Sequence, residues 1–177
     1  MLIYALGALI LLVLVLFVAA LFKPDTFRVE RSALIAASPE TLFPLIADFH
    51  QWTRWSPWEG MDPAMTRQYS GEPSGTGAVY EWAGPKVGAG RMEILDTHAP
   101  DRLHIRLDFT KPFEAHNEVT FSIEPEGSGS RVQWAMYGPH PLPMRMMSIV
   151  MSMDKMVGGD FEKGLAALKS VSESGAR

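Results

Sequence analysis

The chain has 177 residues, a formal net charge of −4 and no cysteine. The absence of cysteine excludes disulfides, thiolate metal sites and a cysteine nucleophile, and it fits either redox compartment. No Lys/Arg run or basic stripe interleaved with aromatics is present, so nucleic acid is not an expected partner.

Met1 to Phe22 carries no charged side chain. At ~1.5 Å per residue a helix of that length reaches ~33 Å, enough for a hydrocarbon core of ~30 Å. Residues 1–23 therefore read as a transmembrane helix. A cleaved signal peptide needs a basic n-region and a small-residue cleavage site, and neither Met-Leu-Ile-Tyr nor Ala19-Ala20-Leu21-Phe22-Lys23-Pro24 supplies them well. Lys23, Arg28 and Arg31 follow the span, diluted by Asp25 and Glu30, and the positive-inside tendency predicts a single-pass protein with its domain on the cytoplasmic side. Pro24 ends the helix and leaves little linker before Phe27, so the domain, residues 24–177, should sit close to the bilayer. About 155 residues suffice for one soluble domain with its own core.

Thr26 to Ile35 reads as a first strand. Ser38-Pro39-Glu40 has the form of a helix start, with an N-cap, a proline at the first position and an acid in the first turn. Leu42, Phe43, Leu45, Ile46 and Phe49 supply that helix's apolar face, which Pro44 would kink or shift. Trp52 to Trp58 reads as a short second helix breaking at Pro57. Six strands follow, Met65–Ser70, Ala78–Trp82, Arg91–Thr97, Leu103–Phe109, Ala115–Ile123 and Arg131–Tyr137, separated by Gly71–Gly77, Gly84–Gly90, His98–Arg102 and Glu124–Ser130. Leu103, Ile105, Leu107 and Phe109 share a face, as do Val119, Phe121 and Ile123, and Val132, Trp134 and Met136, which predicts an antiparallel sheet with one apolar side. Val150, Met153, Val157, Phe161, Leu165 and Leu168 recur at spacings of three and four, an apolar helical stripe that must cover that side. A break around Ser152–Asp154 would separate it from a segment spanning Leu142–Met151.

Gly158, Gly159 and Gly164 fall inside the last helix, where each costs roughly 1 kcal/mol relative to alanine. Either the helix presses tightly on the sheet or it leaves room for a ligand. The methionines from Met144 to Met156 suit an adaptable apolar lining, a filled core or a membrane-facing surface. Trp52, Trp55 and Trp58 lie together, and in a helical turn Trp55 and Trp58 would share a face and wall a cavity. His50, His98, His104, His116 and His140 have no ligand spacing, so no metal and no cofactor is expected. His116 and Glu118 are an imidazole and a carboxylate on one strand face, but it is the face of Thr120 and Ser122, a solvated one. Asn117 falls on the apolar side with Val119 and Phe121, where its amide would orient a ligand or be satisfied structurally. Tyr80 and Trp82 share a strand face as well. No P-loop, dinucleotide or nucleophile-elbow motif is present, and no catalytic residue is assigned.

The order of strand, two helices, antiparallel strands and long final helix resembles the START-like, or SRPBCC, superfamily, specifically its polyketide cyclase/dehydrase and lipid-transport branch. The likeness is carried by Ser38-Pro39-Glu40, Trp55-Ser56-Pro57-Trp58-Glu59, Lys111-Pro112-Phe113-Glu114 and the block from Gly159 to Lys169, and it covers nearly everything after Pro24. It implies an α+β helix-grip fold, a curved antiparallel sheet wrapped around the C-terminal helix with a hydrophobic cavity between them. The expected function is noncatalytic binding, with transfer or sensing as variants, of a lipid or other hydrophobic small molecule at the membrane. Trp55, Trp58, Tyr80, Trp82, Asn117, Val119, Phe121, Trp134, Met136, Met153 and Val157 are the cavity candidates. The alternatives are a cyclase/aromatase-type enzyme and a membrane-tethered interaction module without a ligand.

Overall fold

A computed structural model describes residues 1–149 and 151–174 of the chain. Helix α1 (Leu2–Leu21) leads into β1 (Thr26–Ile35), α2 (Pro39–Ala47) and a 3-10 helix (Phe49–Arg54). Then come β2 (Thr66–Gly71), β3 (Ala78–Gly84), β4 (Gly88–His98), β5 (Arg102–Lys111), β6 (Ala115–Glu126) and β7 (Gly129–Pro139), followed by α3 (Leu142–Met147) and α4 (Met153–Ser174). The seven strands form one antiparallel sheet in the order β1-β7-β6-β5-β4-β3-β2. From β2 onward the sheet is a meander, and β1 joins it at the far edge beside β7. The α+β helix-grip architecture follows, because α4 lies in the sheet's curve.

Alternation builds the core. Val29 and Ile35 of β1, Leu103, Ile105 and Leu107 of β5, Val119, Phe121 and Ile123 of β6, and Val132, Trp134 and Met136 of β7 are all buried. They face Phe161, Leu165 and Leu168 of α4, also buried, while Met153 and Val157 of the same stripe are only partly covered. Val150 lies outside the described residues. Burying such side chains contributes roughly 1.5–3 kcal/mol each, which makes this contact the main stabilising term of the domain.

The convex face is polar and cross-linked. Arg28 pairs with Tyr137, Tyr137 with Glu118 and Glu118 with Arg106 across four neighbouring strands. Tyr137 donates to the Glu118 carboxylate at 3.0 Å, and the Arg106 guanidinium meets Glu93.

Two helices and one turn depart from the expectations above. The second helix starts earlier and ends before Trp55, because Asp48 caps it by accepting from the His50 amide at 2.8 Å. Ser38 stands at the start of α2 without a side-chain cap bond, and Pro44 is accommodated inside the helix. Between β3 and β4 the turn is confined to Pro85–Val87, and the glycines from Gly88 on belong to the strand.

Helix α1 is long and apolar enough to cross a membrane over Ile3–Leu21, and its side chains are almost all exposed. Its end is tied to the domain. Ala20 is buried, Lys23 Nζ donates to the Ser148 carbonyl at 3.1 Å, Arg145 Nη1 donates to the Lys23 carbonyl at 3.3 Å, and the His140 amide donates to the Asp25 carbonyl at 2.6 Å.

Candidate site between the sheet and the final helix

Trp134, at the middle of β7, organises the interior. Its ring stacks on Phe161 of α4 at 4.2 Å and 7°, and on Phe121 of β6 at 5.0 Å. Trp52, Trp55 and Trp58 meet it edge-on at 6.3, 5.6 and 5.7 Å. Such offset and edge contacts place the positive rim of one ring on the negative face of the next. Gly164 lets α4 approach, since a Cβ there would stand 2.7 Å from Trp134 Cζ3 and 3.1 Å from Pro57 Cδ. Gly158 makes room for the Arg31 guanidinium, which lies across α4 and bonds Asp154 and Glu162, each at 2.7 Å. Gly159 meets nothing within 4 Å. Close packing therefore accounts for two of the three helical glycines.

Two of the indoles are satisfied. Trp52 Nε1 donates to the Ile46 carbonyl and Trp55 Nε1 to the Leu45 carbonyl, both at 2.9 Å. Trp134 Nε1 is buried and has no hydrogen-bond partner among the described residues. Leaving a buried donor unmade costs about 1–3 kcal/mol.

Toward α1 the packing loosens. Phe27, Trp82, Phe109, Trp58, Met153 and Val157 are only half-buried around the core. Asn117 is 7% exposed and faces inward there, its Oδ1 occupying the space that a side chain at Gly138 would need. No hydrogen bond of its amide is found among the described residues.

A polar cluster absent from the sequence reading borders the sheet's other edge. Tyr80 donates to Glu59 at 2.7 Å and Arg67 Nε donates to the other Glu59 oxygen at 2.6 Å. Burial and the neighbouring Glu59 carboxylate push the Tyr80 phenol well above its ordinary range, so it stays a neutral donor. Tyr69, Tyr80 and Trp82 stack in sequence at 5.2 and 5.9 Å. Glu59 is 21 residues from Tyr80 and eight from Arg67 across an irregular segment, and neither spacing signals their meeting. Arg31 was legible in principle, because alternation from Phe27 and Val29 places it on the inward row.

The structure gathers the eleven candidates around one aromatic and aliphatic cluster. Trp55, Tyr80, Val119, Phe121, Trp134 and Met136 are buried in it, Asn117 is buried at its α1 end, and Trp58, Trp82, Met153 and Val157 lie on its margin. Trp55 and Trp58 do so from an irregular segment and not from a helical turn. His116 and Glu118 remain outside as expected, but they do not pair with each other: His116 meets Asp108 and His104 meets Glu118, each at 2.7 Å across neighbouring strands. Clefts of about 550 and 190 Å³ lie beside α2 and the β2–β3 loop, lined by residues such as Leu45, Gln51 and Tyr69 and by none of the eleven. Among the described residues no three His, Asp or Glu side chains gather as metal ligands.

The architecture is shared with solved structures. Protein CV1439 from Chromobacterium violaceum superposes with a TM-score of 0.59 at 16% identity, over 85% of this chain and 99% of that one. Protein Ms6760 from Mycobacterium smegmatis gives 0.60 at 16%, over 86% and 94%. Ara h 8.0201 gives 0.57 at 14%, over 84% and 99%. At these identities the likeness concerns the fold. No curated protein matches the chain. The family model described as polyketide cyclase / dehydrase and lipid transport matches residues 26–173, from the first strand to the last turn of α4, and the chain belongs to that family, within the START-like superfamily.

Proposed function

We propose that the protein is held in a membrane by α1 and that its domain, residues 24–177, binds an apolar small molecule bearing a hydrogen-bond acceptor, between the sheet and α4. One observation carries the reading: the Trp134 indole N–H is buried among aromatic rings without a partner among the described residues. An apolar site with one unpaired donor favours a ligand that is hydrocarbon over most of its surface and supplies a carbonyl, hydroxyl or ether oxygen at one point. Entry is from the α1 end, where Trp58, Met153 and Val157 cover the core only partly and where Gly159 and the methionines let the first turns of α4 yield. Asn117 offers a second polar contact at that end. A lipid or isoprenoid-like compound drawn from the adjacent bilayer has the required chemistry. The flanking Lys23, Arg28 and Arg31 favour the cytoplasmic side for the domain.

The Tyr80–Glu59 pair stands at the edge of the aromatic cluster with its phenol held neutral and its carboxylate engaged by Arg67, which favours binding over cyclase chemistry. The test is uptake of an apolar fluorescent probe by the full chain. Val157→Trp in a variant that still folds should abolish uptake, and Asn117→Ala should weaken polar-headed ligands more than pure hydrocarbons. Unchanged uptake in Val157→Trp would place any binding elsewhere. The full chain should also resist carbonate extraction from membranes.

A further inference from the structure

Phe113 is 80% exposed at the tip of the β5–β6 hairpin, with Lys111 and Glu114 beside it. The register fixes where that tip stands. Arg28, Tyr137, Glu118 and Arg106 form one row across β1, β7, β6 and β5. Lys23, at the end of α1, is five residues before Arg28; Phe113 is five before Glu118, and Lys111 is five after Arg106. All three leave the row in the same direction and reach a similar height. The lateral separation is three strand spacings, about 14 Å. Ala89 pairs with Lys111, which brings the exposed Lys86 in the β3–β4 turn to the same end.

The two ends of the sheet differ in charge. The end beside α1 presents Lys86, Lys111 and Lys155, with the half-buried Lys23 and Arg145, against Asp25, Glu114 and Asp154, since the nearby Asp62 is buried and accepts from the Ala64 and Lys86 amides. The opposite end presents Glu72, Asp96, Asp101, Glu124 and Glu126 against Arg102 and Arg131. An exposed ring flanked by lysines, level with the end of an apolar helix, matches the aromatic and basic composition of a membrane interface.

We infer that the α1 end of the domain docks on the same bilayer that holds α1, with Phe113 inserted at the headgroup level and Lys86 and Lys111 on anionic lipid. The inference rests on the membrane-anchor reading. With two points of attachment the domain stands upright, and the loosely packed end of the grip faces the lipid.

The chain's lack of cysteine allows single-site labelling. Full-length Glu114→Cys, Ser128→Cys and Leu11→Cys, each carrying an environment-sensitive fluorophore, are reconstituted in vesicles of phosphatidylcholine and phosphatidylglycerol containing spin-labelled quencher lipids. Positions 114 and 11 should lose most of their fluorescence while 128, in the β6–β7 turn, keeps it. Adding Phe113→Asp to Glu114→Cys should restore the signal, and Lys86→Glu with Lys111→Glu should remove its dependence on phosphatidylglycerol. Quenching at 11 with none at 114 overturns the docking and leaves the anchor intact. No quenching at 11 overturns the anchor reading and the docking with it. An unquenched 114 that forms disulfide-linked dimers when unlabelled assigns the hairpin to a second copy and overturns the inference.

Discussion

The grip between sheet and helix has two unlike ends. Away from α1, Phe161, Leu165 and Leu168 are locked against Phe121, Ile123, Val132 and Trp134, every one of them at most 2% exposed. Toward α1 the same helix continues as Met153 to Gly159, where Met153 and Val157 are only half-buried, as are Phe27, Trp82 and Phe109 on the sheet's inward face. One stripe of one helix thus does two jobs. Its second half supplies the packing that holds the domain together, and its first half is less covered by apolar side chains and is held by Arg31 through Asp154.

The sharpest way to break that contrast is to truncate each half. Phe161→Ala removes a ring stacked on Trp134 and should cost about 3–5 kcal/mol in chemical denaturation, whereas Met153→Ala should cost roughly 1 kcal/mol, its side chain being only partly covered. Equal losses would show that the helix packs uniformly. The glycines sharpen the comparison. Gly164→Leu should destabilise by about 1–3 kcal/mol, because the new side chain meets Trp134 and Pro57. Gly159→Ala has open space around it and should raise the midpoint by up to about 1 kcal/mol through helix propensity. A gain at both positions would show that Gly164 faces solvent.

A pH series examines the turn beside the loose end. Backbone amides of Lys86, Ala64 and Val87 hold the Asp62 carboxyl below its ordinary value of 3.8. The folded-state value lies below the unfolded one, so this carboxylate's stabilising effect is complete above pH 3.8 and is lost as pH falls through the lower folded value. Asp62→Asn should therefore be less stable than the parent at neutral pH, with the difference shrinking under acid. A difference that does not change with pH would mean that the charge is not what holds the turn. The smallest effect belongs to the convex face, where His116→Ala and Glu118→Ala should each shift stability by less than about 0.5 kcal/mol and leave probe uptake unchanged.

The sheet was legible in the sequence because its alternation is long and clean: β1 has the boundaries that the pattern of Thr26 to Ile35 predicts, and the inward faces of β5, β6 and β7 are those read from period two. The second helix was not, because Asp48 starts it through a bond to the His50 amide two residues away, while Trp52 and Trp55 are held by carbonyls of α2. The Asp48 cap is a local signal that the tryptophan spacing masked, whereas the indole bonds depend on how α2 folds back, which no local pattern records. Which indole would lack a partner was equally hidden. Three tryptophans in one stretch suggest a cavity wall, yet the donor without a partner among the described residues belongs to Trp134 on a strand, among five aromatic rings from the 3-10 helix, the segment after it, β6 and α4. The role of Gly158 depended on Arg31, a residue whose inward direction alternation gives and whose reach across α4 it does not.

The most direct measurement is native mass spectrometry of the detergent-extracted full chain, followed by organic extraction, on the parent protein and on Val157→Trp. The expected result is a defined apolar molecule carrying at least one oxygen acceptor, bound in one-to-one proportion to the parent and absent from the variant. The bare polypeptide mass in both, with the probe taken up equally by both, would contradict it and leave the aromatic cluster as core alone.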